Sequence, residues 1–332
     1  MTRSIRSILV AVKDPRRRAS PAVRKAARLA HALGARVELF HAISEPVPVD
    51  ALIYTRENVG AYEAREQARC LKRLEGLAAP LRKSGLTVAV TAEWDFPAHQ
   101  AVVRRARRMG ADLIVAERHA SRHVAPWMLR YNDWELLRHS PVPVLLVKTR
   151  RAYGRIKALA AVDPSHAFAK TASLDDAILH VAAEVSSATR GQLHAVHAYV
   201  PSLVDIAPGE LTAPDAPARI IGHAASLAAA RFTKALRAAR LATLPRARRH
   251  LLAQHPVDAI AGLARTLRPD IIVMGLARSG IKGLLIGNTA EQLLDELPCD
   301  LLIVKPPGFP MQVPAKARGP YLISLAPPYG MA

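Results

Sequence analysis

Short runs of four or five consecutive apolar residues alternate along the chain with longer stretches whose apolar positions recur every three or four residues. The short runs include 8–12, 113–116, 144–147, 158–162, 271–274 and 301–304. A brief apolar run without alternation reads as a strand buried on both faces. The stretch 21–33 puts Val23, Ala26, Ala27, Leu29, Ala30 and Leu33 on one helical face and stops at Gly34, a left-handed C-cap. The stretch 98–109 before Gly110 repeats this device. Counterparts in the second half run over 174–189, closed by Arg190-Gly191, and over 257–267. Proline-rich segments at 44–56 and 201–218 read as loops leading into longer helices at 58–81 and 218–241. Alternating strand and helix predicts parallel sheets with right-handed crossovers and helices on both faces. Ligands of such sheets sit at the carboxyl ends of the strands, at the switch point of the strand order.

The pattern occurs twice. The apolar run before Asp14-Pro15 matches the run before Asp163-Pro164. Val37-Glu-Leu-Phe-His-Ala42 matches Leu193-His-Ala-Val-His-Ala198, Asp112-Leu-Ile-Val-Ala116 matches Asp270-Ile-Ile-Val-Met274, and Pro141-Val-Pro-Val-Leu-Leu-Val-Lys148 matches Pro298-Cys-Asp-Leu-Leu-Ile-Val-Lys305. Four landmarks in one order at a nearly constant offset indicate a tandem duplication. The expected fold is α/β: two tandem doubly wound, Rossmann-like domains, each with a five-stranded parallel sheet, packed as a pseudo-dimer. The domains span 1–150 and 151–309, and 310–332 is an extended, proline-rich tail.

Composition narrows the classes. Of 332 residues, 50% are hydrophobic and 22% charged, which suits a folded protein with real cores. The two cysteines, Cys70 and Cys299, exclude a disulfide scaffold and a cysteine zinc cluster. The first residues contain no signal-peptide pattern and no run is long enough to span a membrane, so the cytoplasm is the expected compartment. The net charge of +20 is concentrated in 1–150, with 27 basic against 14 acidic residues. Basic clusters at 16–18, 104–108 and 246–249 lack interleaved aromatic residues. They predict at most a weak, sequence-independent, salt-dependent contact with nucleic acid.

One segment carries chemistry. The run 271–274 enters a loop with four glycines, Gly275, Gly280, Gly283 and Gly287, followed by Asn288 and Thr289 at the start of a helical stretch. Glycines keep such a loop thin, free amides at a helix N-terminus hold anions, and Arg278 and Lys282 add positive charge. This reads as a phosphate cradle; an ordinary crossover with turning glycines is the competing reading. The strand ending in Val273-Met274-Gly275, the glycine loop, and Ala161-Val162-Asp163 after the first strand of the second half together resemble the universal stress protein family. The segment 133–141 and the start Gly287-Asn-Thr-Ala-Glu291 resemble a tandem subgroup of it. In nucleotide-binding members the region of that Asp contacts adenine or ribose and the glycine loop holds phosphates. The resemblance therefore implies ATP or a related adenine nucleotide held by Ala161, Val162, Asp163, Ala198, Met274, Gly275, Arg278, Gly280, Gly287, Asn288 and Thr289. It covers about 1–309. The second-half loop is one position shorter than the family pattern and has Arg278 in place of its second glycine. In the first half Glu117 stands in place of Gly275, Lys13 in place of the Asp, and no glycine occurs from 111 to 149. A carboxylate there would repel phosphate, so one nucleotide site per chain is expected.

Other groups weigh less. Glu117, His119 and His123 are close in sequence, but Arg118 and Arg122 disfavour a cation, and no metal is assigned. His41 and His197 end equivalent strands and read as buried, hydrogen-bonded strand residues. No nucleophile paired with a base stands out, so no enzymatic turnover is assigned. The expected function is a stress-response regulatory or binding protein, with a homodimer as the expected assembly. Two other readings stay open: a nucleotide-free scaffold or carrier of an apolar small ligand, and a non-specific polyanion binder.

Overall fold

The computed structural model describes residues 4–17, 20–49, 52, 58–118, 126–165, 173–201, 216–276, 292–293 and 296–324. The chain divides into two compact units, and each is described by itself. The first comprises 5–152 and the tail from 310; the second comprises 153–309 and the first four residues.

In the first unit the elements are β1 (Ser7–Ala11), α1 (Pro21–Leu33), β2 (Arg36–Ile43), β3 (Pro46–Pro48), α2 (Val59–Lys83), β4 (Val88–Trp94), α3 (Ala98–Met109), β5 (Leu113–Glu117), α4 (Pro126–His139) and β6 (Val144–Val147). Five strands form a parallel sheet in the order β4-β2-β1-β5-β6. Ile8, Leu9 and Val10 are fully buried at its centre, as a two-sided strand demands. In α1, Ser20 accepts a hydrogen bond from the Val23 amide, Pro21 opens the first turn, and Gly34 closes the helix at φ 63°. Gly110 ends α3 the same way at φ 64°. The segment around residue 46 is strand as well as loop, because the tail supplies a partner: β12 (Tyr321–Ile323) pairs with β3 in parallel.

The second unit repeats the frame with β7 (Lys157–Val162), α5 (Ser173–Ala188), β8 (Gln192–Ala198), α6 (Ala216–Ala238), β9 (Arg249–Leu252), α7 (Pro256–Leu267), β10 (Ile271–Gly275) and β11 (Asp300–Val304). Its parallel order, β9-β8-β7-β10-β11, is that of the first sheet. One repeated landmark has a shared role. Asp112 Oδ2 accepts from the amides of Arg6 and Ser7, at 2.9 and 3.0 Å. Asp270 Oδ2 likewise accepts from the amide of Lys157 at 2.9 Å. Each aspartate ties the start of its unit's first strand to the strand after it in the sheet. Helix α5 ends differently from α1: Arg190 takes the left-handed conformation at φ 53°. The glycine beside it has another reason, since a Cβ on Gly191 would lie 2.0 Å from the Ile156 carbonyl oxygen.

The tail is held by the first unit. Asp95 and Arg104 form a buried ion pair, Nε to Oδ2 at 2.8 Å. Asp95 Oδ1 accepts from the Arg318 amide at 3.0 Å, and Arg104 Nη1 donates to the Pro314 carbonyl at 3.1 Å. Phe96 and Tyr321 stack with centroids 5.2 Å apart. Among the described residues, no helix is long and apolar enough to cross a membrane.

Candidate functional site

Six of the residues predicted for the second repeat, Ala161, Val162, Asp163, Ala198, Met274 and Gly275, lie where the strand order reverses. Ala161 on β7 lies opposite Met274 on β10, and Val162 lies opposite His197 on β8. Ala198 follows at the end of β8, and Asp163 leaves the end of β7. These backbones therefore share the carboxyl edge of three adjacent parallel strands, the switch point at which α/β sheets bind ligands. The Asp163 amide donates to Asp175 Oδ1 at 3.1 Å, so an acid in the first turn of α5 fixes the chain as it leaves β7. Arg278, Gly280, Gly287, Asn288 and Thr289 lie outside the described residues.

Gly275 has a reason beyond ligand approach. A Cβ at this position would meet Leu174 and Ile178 of α5 at 2.8–2.9 Å. Its smallness lets the helix settle against the end of β10. Ser165 and His197, which the sequence did not mark as part of this edge, also stand here. Ser165 Oγ lies 3.2 Å from Nε2 of His197, which is fully buried. Each was visible alone in Asp-Pro-Ser and in the histidine ending β8; the β7–β8 register joins them.

The equivalent edge of the first repeat is furnished differently. Glu117 ends β5, accepts a hydrogen bond from the Ser20 hydroxyl, and takes the Ala22 amide at 3.2 Å. The carboxylate thus sits at the positive end of α1 and occupies the Ala22 amide, which an external anion would otherwise use. Lys13, Glu117 and Val12 border two cavities. The smaller, about 250 Å³, has an apolar floor including Phe40, Val102 and Leu136, with His41, His99 and Asp133 among its polar walls. His41 is buried and its Nδ1 lies 2.8 Å from the Val12 carbonyl oxygen, as expected of a strand histidine. The larger cavity, about 690 Å³, is lined by Lys13, Arg17, Arg24, Arg118, Lys148 and Arg150 against Asp14 and Glu117. Partial burial holds the Lys13 ammonium below the usual lysine value, while the field of Asp133 pulls it up. Behind one wall, the buried Lys25 donates to the carbonyl and hydroxyl of Thr149 at 2.8 and 2.7 Å.

The basic cluster at 104–108 is mostly consumed by the fold. Arg104 is paired with Asp95; Arg105 reaches Glu38 at 2.6 Å and Glu93 at 3.2 Å; Arg108 also pairs with Glu93. The sequence marked it only as a basic cluster without aromatic neighbours; the acids that neutralise it are on other elements.

Donors able to hold a metal meet at another place. His99 opens α3, while Glu135 and His139 stand one turn apart on α4; one ligand atom from each lies within 4.8 Å of the others. Of the group Glu117, His119 and His123, close in sequence, both histidines lie outside the described residues.

A duplicated five-stranded parallel unit with the same strand order in each half defines a tandem α/β protein. The universal stress protein family profile matches residues 4–148 and 157–305, and the chain belongs to that family. It is 26% identical over 301 residues to "Universal stress protein E" of Escherichia coli (strain K12), covering 90% of this chain and 93% of the relative. Among solved structures, a functionally unknown protein from Pseudomonas aeruginosa PAO1 superposes with a TM-score of 0.68 at 24% identity, covering 91% of this chain and 93% of the other. A universal stress protein from Archaeoglobus fulgidus DSM 4304 gives 0.60 at 16% identity, covering 90% and 98%. Both likenesses concern the fold.

Proposed function

We propose that this universal stress protein is a cytoplasmic stress-response binding protein whose second repeat takes one adenine nucleotide, ATP or a relative, without efficient turnover. The observation that supports this reading is the convergence of Ala161, Val162, Met274 and Gly275 on one carboxyl edge, with Asp163 and Ala198 beside them. Three adjacent strand ends meet there, and the glycine-rich segment 275–287 follows directly in the sequence. Calorimetric titration with ATP, joined to mass spectrometry of ligands released on denaturation, tests it. One site per chain is expected, lost in Gly287→Val, where a branched side chain would crowd the phosphates. Two equivalent sites would defeat the one-site reading, and no nucleotide in either measurement would favour a nucleotide-free scaffold or a carrier of an apolar ligand.

A second reading draws on the larger cavity of the first repeat and its six basic side chains. That surface would attract nucleic acid and other polyanions through phosphate contacts alone. A gel-shift titration should show binding at roughly 50 mM salt that is gone by 200 mM. Persistence at the higher salt would mark a true recognition surface.

A further inference from the structure

We propose that the first repeat carries a binding site for a divalent transition metal, Zn²⁺ by its donor chemistry, built from His99, Glu135 and His139. The three donors come from two helices. Glu135 and His139 share a face of α4 through their four-residue spacing, and His99 comes from the first turn of α3. His139 Nδ1 lies 3.1 Å from Glu135 Oε2, and the imidazole rings of His99 and His139 lie nearly parallel, 25° apart, with centroids at 5.9 Å. All three residues are half-buried.

Ligands about 2.0–2.2 Å from one tetrahedral ion stand roughly 3.3–3.5 Å from one another. The carboxylate–imidazole distance is already close to that, and the widest donor separation, within 4.8 Å, needs only a side-chain adjustment. Two imidazoles and a carboxylate are a borderline donor set that suits zinc, and three protein ligands leave a coordination position open. Arg138 bonds the other oxygen of Glu135, at 3.1 Å, so Oε2 stays directed to His139. His99 is also part of the wall of the smaller cavity. A metal there would give that cavity a Lewis-acidic wall and make anionic oxygen donors the class of small ligand it takes. The competing account is a polar helix contact in which Glu135 merely orients His139.

The experiment uses the full-length, tag-free protein, stripped with a chelator. Zn²⁺ is titrated against a chromophoric competitor, and Co²⁺ is added separately to read its visible bands. The wild type should bind one equivalent and show Co²⁺ bands, with affinity falling as the pH is lowered and protons compete for the imidazoles. His99→Gln and His139→Gln should each lose on the order of 100-fold in affinity together with the bands; Glu135→Gln should lose on the order of 10-fold. His31→Gln, on the exposed end of α1, should change nothing. Circular dichroism confirms that each variant is folded, and a misfolded variant is replaced by the asparagine form. No binding by the wild type, or undiminished binding in both histidine variants, would overturn the site.

Discussion

At the end of the strand that lies beside the first strand, the two repeats solve one problem in opposite ways. In the first, Glu117 projects from β5 and caps α1 through Ser20 and the Ala22 amide. In the second, the acid sits on the helix instead: Asp175 reaches back to the Asp163 amide, and β10 ends in Gly275, pressed against Leu174 and Ile178. Each arrangement supplies a carboxylate near a helix start, where the dipole favours it. They differ in what they leave at the ligand edge. Glu117 adds a carboxylate to the walls of both first-repeat cavities, while Gly275 leaves only backbone. The duplicated frame therefore keeps its strand order while the acid at this strand end moves from strand to helix.

The largest expected effect tests what the tail adds to the first repeat. Asp95 and Arg104 are both almost wholly buried, and they also hold the tail through Arg318 and Pro314. Asp95→Ala would leave a buried guanidinium without its carboxylate. The expected cost is about 3–5 kcal/mol, read by urea denaturation, and the tail should become accessible to limited proteolysis. The double variant Asp95→Leu with Arg104→Met should recover most of that stability while leaving the tail cleavable, because an apolar pair removes the stranded charge but not the lost Arg318 contact. A tail that stays protected in both variants would show that the β3–β12 pairing alone secures it.

Much of this frame was legible in the sequence. Short apolar runs marked the central strands because strands covered on both faces have no polar alternation to confuse the pattern. Gly34 and Gly110 marked helix ends for the same conformational reason that the structure displays, a positive φ. The landmark Asp112/Asp270 identified the repeat, although its role as a clasp on the preceding strand emerged only in three dimensions. The furnishing of the sites was less legible. Glu117 read as a charge repelling phosphate, whereas its main partners are α1 groups some 95 positions away. Arg104 read as one member of a basic cluster, because nothing local distinguishes it from Arg107; Asp95 and the returning tail decide the matter. His99 and the Glu135–His139 pair stand far apart in sequence and meet only because α3 packs on α4.

The strand-end exchange can be probed from both sides. Gly275→Val should destabilise the second unit by about 1–3 kcal/mol, since its side chain enters space held by Leu174 and Ile178. Trimming Leu174 to Ala in the same chain should return part of the loss despite the cavity that change makes alone, a coupling readable in a double-mutant cycle. Glu117→Ala should cost less, about 1–2 kcal/mol, because Ser20 still caps Val23 when the carboxylate is gone. Additive costs at Gly275 and Leu174 would mean that the glycine answers to the segment beyond it, and the contrast with Glu117 would lose its packing basis.

The smallest effect separates the outer strand pairs. In the first repeat Glu38 and Thr91 are bridged by Arg105, with Nε to Glu38 at 2.6 Å and Nη2 to Thr91 at 3.2 Å. The matching places in the second repeat hold His194 and His250, 3.1 Å apart between ring nitrogens. Burial, with the neighbouring His250 adding to it, lowers the His194 pKa to about 4, and burial lowers His250 as well. An unfolded histidine titrates near 6.5. Between those values the unfolded chain binds more protons than the folded one, so stability is full above about pH 6.5 and declines as pH falls toward 4. By pH 5.5 the loss from His194 should be about 1 kcal/mol. The Arg105 guanidinium keeps its charge throughout this window, so that bridge gives the first repeat no matching histidine term. Urea midpoints of wild type and His194→Gln, compared at pH 7.5 and 5.5, isolate this term. The variant should show a shallower pH dependence, and a parallel decline in both proteins would place the acid sensitivity elsewhere than in this pair.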